Sequence, residues 1–266
     1  MDYKLRVLGS VSPYSKNGSN CPGYLFDLSN EKVLLDCGSG ITSRMNMPED
    51  LENLTIVISH FHKDHYSDLF SLAYASFCYH RMGKLNNKIK VYLPEVFSGE
   101  LGYDDYLMIK NLNEQYFEIF TYNENSKISL NNVNIDFFKT NHSITNYSSR
   151  MYCDDFKIVY TGDMGFSNID NYVKFCFNAD LLISESTFLV KDNMNSKDHL
   201  RTVDAAYIAN FSNTNMLMLT HFWPEHNKLD YVYEAKKLFN NTIAADENVV
   251  ININDLLNDN NKKNSR

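Results

Sequence analysis

The chain has 266 residues, 44% hydrophobic and 14% aromatic, with a formal charge of −8 and an isoelectric point near 5.5. That apolar content supports a sizeable core and excludes a disordered chain, while the acidic balance argues against broad, non-specific binding to nucleic acid, which relies on basic surface. The five cysteines (21, 37, 78, 153 and 176) are odd in number and form no CxxC pair, which argues against a disulfide framework or a structural zinc finger.

The opening Met1-Asp2-Tyr3-Lys4-Leu5-Arg6 lacks the apolar stretch of a signal peptide. No run approaches the roughly 20 apolar residues of a membrane span. We therefore expect a soluble, cytoplasmic protein with no membrane partner. Strands are predicted over 3–8, 24–28, 32–36 and 54–59, and a helix rich in aromatics over 67–81. The apolar positions of that helix wrap beyond one face, which suits core packing first and a subunit contact or substrate wall second. Strands follow over 89–93, 116–121, 127–130 and 133–138, the last two turned at Asn131-Asn132. A hairpin over 147–152 and 156–160 turns at Asp154-Asp155. Helices over 169–177, 202–210 and 230–239 alternate with strands over 181–184 and 216–219. We expect one domain over residues 1–257 and a polar, frayed tail over 258–266.

The run His60-Phe61-His62-Lys63-Asp64-His65 holds four potential metal ligands in six residues and follows an apolar strand. Imidazole and carboxylate suit zinc and related divalent ions. A strand that stops where such residues begin leaves them on a loop at the sheet end, where ligands of α/β proteins bind. His60 and His62 project to one side of an extended segment, with Asp64 and His65 on the turn beyond. A solvated polar loop would explain the charge but not three of the chain's eight histidines in six positions.

This HxHxDH pattern resembles the signature of the metallo-β-lactamase superfamily. Leu34-Leu35-Asp36-Cys37-Gly38 ahead of it, and Thr140-Asn141-His142, Tyr160-Thr161-Gly162-Asp163 and Leu219-Thr220-His221-Phe222 after it, are similar to the superfamily's other elements in order. Two further segments resemble the ribonuclease Z-like branch. Its HEAT motif reads Ser184-Glu185-Ser186-Thr187 here and its HST reads His199-Leu200-Arg201, retaining Glu185 and His199.

The resemblance implies an αββα sandwich and two divalent metal ions, zinc first, with manganese or iron tolerated. His60, His62 and His142 would hold one, Asp64, His65 and His221 the other, and Asp163 would bridge them. A bridging carboxylate offsets repulsion between cations ~3.5–4 Å apart. The implied chemistry is hydrolysis by a metal-activated hydroxide, with Asp64 orienting the nucleophile and His199 donating a proton to the leaving group. Glu185 would hydrogen-bond His199 and raise its pKa.

Asp36, at a strand end, could orient a ligand histidine from behind. His80 and His226 match no element and are expected to be packing or surface residues. Ser143, Thr145 and Asn146 lie beside His142, where they could contact substrate oxygens or simply belong to a polar loop. The tRNA-processing members of the branch carry a long arm between the segments matching His142 and Asp163, where this chain has only twenty residues. An armless member implies a phosphodiesterase for a small or cyclic nucleotide-type ester, with long RNA disfavoured and a homodimer as the common state. The alternatives are tRNA 3′-end processing, lactone or thioester hydrolysis at the same metals, or a non-enzymatic metal-containing binding protein.

Overall fold

The computed structural model describes residues 3–112, 116–194 and 196–256. The tail expected over 258–266 lies outside them. Two seven-stranded mixed sheets face each other, with helices on both outer sides. The first sheet contains β1 (Tyr3–Gly9), β2 (Gly23–Leu28), β3 (Glu31–Leu35), β4 (Leu54–Val57), β5 (Ile89–Pro94) and β6 (Phe117–Tyr122). The second contains β7 (Lys127–Leu130), β8 (Val133–Lys139), β9 (Tyr147–Tyr152), β10 (Lys157–Tyr160), β11 (Leu181–Glu185), β12 (Met216–Thr220) and β13 (Thr242–Ala244). The last strand, β14 (Val250–Asn252), returns to pair with β1 and completes the first sheet. Its strand order is β14-β1-β2-β3-β4-β5-β6, and that of the second is β13-β12-β11-β10-β9-β8-β7.

Each sheet begins as an antiparallel meander and becomes parallel, at β3–β4 in the first and at β10–β11 in the second. Parallel strands are covered on both faces and therefore read as continuous apolar runs. Leu54-Thr55-Ile56-Val57 and Leu181-Leu182-Ile183-Ser184-Glu185 are accordingly buried throughout. In β8, at the antiparallel end, every second residue of Val133–Phe137 is buried instead.

Between the sheets pack Tyr24, Phe26 and Leu35 from the first and Ile135, Phe137 and Ile158 from the second. A second cluster joins Ile56 and Ile58 to Leu69 and Leu72 of α2 (Leu69–Arg81) and to Tyr106 and Ile109 of α3 (Tyr103–Lys110). Fully burying one such leucine or isoleucine contributes about 1.5–3 kcal/mol. On the far side lie α4 (Ile169–Cys176), α5 (Thr202–Phe211) and α6 (Lys228–Ala235). Ala205, Ala206 and Ala209 are fully buried, and such small side chains let α5 lie close to β11 and β12.

Helix α2 packs into the core through Leu69, Leu72, Ala73 and Ser76, as expected, and leaves Phe70, Tyr74 and Phe77 exposed. The expected turn at 64–65 is a single helical turn, α1 (Lys63–Tyr66). Helix α6 starts two residues before the expected 230 because Asn227 caps it, its side chain accepting from the Leu229 amide. Helix α3 and the short strands β13 and β14 lack a periodic apolar signature and were not expected. All five cysteines are free thiols. Among the described residues no helix is long and apolar enough to cross a membrane.

Candidate metal centre

The parallel strands converge on one rim, and the predicted site residues follow their C-terminal ends. His60 lies just past β4, Asp163 past β10, and His221 past β12, while His142 follows β8. Asp36 and His221 hold left-handed backbone with φ of 58° and 59°. Such a conformation is uncommon outside glycine, although Asp and His tolerate it better than most residues. It persists where surrounding contacts over-determine it, commonly at functional sites.

The seven predicted ligands come together as two groups. His60 Nε2 lies 3.0 Å from His62 Nδ1, which lies 3.1 Å from His142 Nε2. In the second group His65 Nε2 lies 3.3 Å from His221 Nε2, with Asp64 Oδ2 3.6 and 3.7 Å from them. Asp163 stands between. Its Oδ2 is 3.5 Å from His60 Nε2 and 3.7 Å from His142 Nε2, while its Oδ1 is 3.4 Å from His65 and 3.1 Å from His221. Each carboxylate oxygen thus faces one group. The donor atoms of His60, His62, His142 and Asp163 lie within 4.8 Å of one another, as do those of Asp64, His65 and His221.

The donor set fits divalent cations. Burial, reinforced by neighbouring imidazoles, holds His60 well below the ordinary histidine pKa and His62 at about 4. Both rings are therefore neutral, with lone pairs free to bind a cation. Burial also opposes charge on His221, yet the Asp163 carboxylate pushes its pKa up to about 10. The same carboxylate draws charge onto His65. The centre thus attracts positive charge, which bound ions would supply. Asp163 Oδ1 is buried and accepts no well-directed hydrogen bond, an unsatisfied state that metal coordination would relieve.

A second layer fixes the rings. Fully buried Asp36 accepts from the Ser59 amide and hydroxyl, the Tyr160 hydroxyl and His65 Nδ1, all within 2.6–2.8 Å. Its expected orienting role has this geometric basis. His142 Nδ1 donates to the Asp198 carbonyl at 2.9 Å, and His60 Nδ1 lies 3.0 Å from Ser59 Oγ. Ser12 donates to Asp64.

Glu185 is fully buried and accepts from the Met164 amide, the Thr187 hydroxyl and His199 Nδ1, the last at 3.1 Å. Burial disfavours a charged His199, but Glu185 outweighs it and the pKa is raised. His199 lies 3.9 Å from Asp163 Oδ2 through the same Nδ1, so its Nε2 is the nitrogen left for other work. Its ring stacks on His221 at 5.3 Å, and its side chain keeps 24% exposure.

Thr187, Ser12, Ser59 and Tyr160 had no assigned role from sequence. Thr187 Oγ1 lies 2.8 Å from His221 Nδ1 and 2.9 Å from Glu185 Oε2, linking the two. It sits inside the Ser184–Thr187 run that resembles the branch motif, but a lone hydroxyl has no diagnostic spacing. Asn146 is not a substrate contact. It is buried, and its amide donates to Thr140 Oγ1 and the Asp163 carbonyl. Ser143 and Thr145 do border a cavity beside His142. His226 packs on Tyr231, its Nδ1 2.9 Å from the hydroxyl.

The chain is 29% identical over 245 residues to the probable metallo-hydrolase YhfI of Bacillus subtilis, covering 90% of this chain and 95% of that protein. The crystal structure of that metallo-β-lactamase-fold protein superposes with a TM-score of 0.82 at 25% identity, over 94% of this chain and 99% of that one. Ribonuclease Z of Archaeoglobus fulgidus is 24% identical over 310 aligned positions, covering 93% of this chain and 96% of the relative. Fold, site and relatives together define a metal-dependent hydrolase of the metallo-β-lactamase fold, homologous to YhfI and ribonuclease Z. Within that class, residues 3–228 match the family model described as Anti-Pycsar protein Apyc1, and the chain belongs to that family.

Proposed function

We propose that this hydrolase is a dinuclear phosphodiesterase acting on a small, cyclic nucleotide-type phosphodiester. The observation that carries the reading is Asp163, with one oxygen turned to each donor group and His199 at the edge of the same centre. His60, His62 and His142 would hold one ion, Asp64, His65 and His221 the other, and Asp163 both. Zinc suits the set, and manganese or iron would be accepted. Bound ions would supply Lewis-acid charge and an acidified water.

The chain's own groups do the rest. Asp64, held by Ser12, orients the attacking water and accepts its proton. His199 donates from Nε2 to the leaving alkoxide, while Glu185 holds Nδ1 and keeps the ring protonated. An alkoxide is a poorer leaving group than a thiolate, so a placed acid favours an oxygen ester such as a phosphodiester over a thioester.

The alignment with the archaeal ribonuclease Z runs over more positions than this chain possesses. That relative therefore carries inserted segments absent here, which supports a small substrate over a tRNA precursor. Metal-replete protein should hydrolyse a 3′,5′-cyclic nucleotide in preference to a lactone, a thioester and a precursor tRNA. Faster turnover of any of those three would overturn the reading.

A further inference from the structure

Beside His199 lies a cavity of about 310 Å³, bordered by Asn141, Phe166, Met194, Lys197 and Arg201 among others. We propose that it binds the nucleoside carried by the leaving oxygen, with the base against Phe166 and a base N–H donated to Asn141 Oδ1. The inference rests on the phosphodiesterase reading and extends it to substrate recognition.

Position comes first. His199 borders the cavity, so a group attached to the oxygen that it protonates can extend into it. The volume is at the small end for ligand pockets, which span roughly 300–1,000 Å³. It suits one nucleoside rather than an oligonucleotide.

The walls are built, not incidental. The Gly165 amide donates to the Asn141 carbonyl at 2.7 Å, and Asn141 Nδ2 donates to the Lys197 carbonyl at 2.8 Å. These bonds join three loops. A side chain at Gly165 would meet the Lys197 carbonyl oxygen at 1.7 Å, so only glycine permits this approach. With Nδ2 committed, Asn141 Oδ1 is the acceptor that remains, and it has no partner among the described residues.

Phe166 is 42% exposed, yet its ring is braced edge-on by Tyr207 of α5 at 5.6 Å, and Tyr207 in turn packs on Phe211 at 4.3 Å. A fixed, half-exposed aromatic ring is a stacking surface for a base. Of the two cations at the rim, Arg201 is committed to Asp204 by two bonds of 2.9 Å. Lys197 has no ion-pair partner among the described residues and supplies positive charge for an anionic substrate.

The test compares Phe166→Ala and Asn141→Ala with wild type on a 3′,5′-cyclic nucleotide and on abasic ribose 3′,5′-cyclic phosphate, which keeps the ester but lacks the base. Loss of base stacking should raise KM for the nucleotide about tenfold in Phe166→Ala. Its kcat should stay within about threefold, and the abasic substrate should be unaffected. Equal losses on both substrates, or an unchanged KM, would overturn the assignment.

Binding of a free nucleoside to metal-replete protein is measured in parallel. If wild type hydrolyses neither ester but binds the nucleoside, and Phe166→Ala weakens that binding, the pocket stands and the phosphodiesterase reading falls. Absence of nucleoside binding in wild type overturns the pocket whatever the hydrolysis result.

Discussion

Asp36, just past the end of β3 in the first sheet, and Glu185, at the end of β11 in the second, have similar surroundings. Each is fully buried and accepts from a backbone amide, a hydroxyl and a histidine Nδ1. The histidines differ. His65 is fully buried, and its free Nε2 faces the donor cluster, 3.3 Å from that of His221. His199 retains 24% side-chain exposure and borders the cavity. On the proposed function, one carboxylate presents a ligand to a cation, and the other presents an acid to a substrate. Burying a histidine behind a carboxylate does not by itself decide its role. What its second nitrogen faces does.

This contrast can be broken most severely at His199. His199→Ala should lower kcat on a cyclic nucleotide by about 100- to 10,000-fold, the usual range for a lost general acid, while bound metal measured by elemental analysis stays at the wild-type level. Equal loss of metal and turnover would make His199 a ligand and erase the contrast. Asp36→Asn should reverse the pattern. It leaves His65 without its carboxylate partner and should weaken metal affinity about 10- to 100-fold. It should also cost about 3–5 kcal/mol of stability in denaturant melts.

Glu185→Gln keeps a carbonyl acceptor for the Met164 amide but no longer charges His199. Turnover should fall about tenfold, and the double variant with His199→Ala should be little slower than His199→Ala alone, as expected for groups that act as a unit. Additive losses would separate the two residues. The smallest effect is expected at Thr187, whose hydroxyl joins Glu185 to His221. Thr187→Val should cost about 1 kcal/mol of stability and slow turnover only severalfold.

The contrast also explains what the sequence made legible. His60, His62, Asp64 and His65 fall within six residues of the chain, so their spacing alone signals metal chemistry. The parallel strands were equally plain, because burial on both faces writes continuous apolar runs such as 181–183. His142, Asp163, His199 and His221 are separated by the strands and helices of the second half and were found through resemblance. Thr187, Ser12 and Tyr160 escaped because hydroxyls occur everywhere, and only the fold brings them to the ligands. Helix α3 escaped because just Tyr106 and Ile109 of its eight residues are buried, too few to leave a period. Asn146 was left open between substrate contact and loop polarity because nothing in the sequence reveals that its amide holds the Asp163 backbone.

The claim beneath all of this is that Asp163 joins two cation sites. Metal content of the purified, zinc-replete protein, determined per chain alongside that of Asp163→Ala, tests it most directly. Two ions in the wild type and fewer than one in the variant is the expected result. A wild type that holds one ion or none, or an Asp163→Ala protein that retains two, would contradict it.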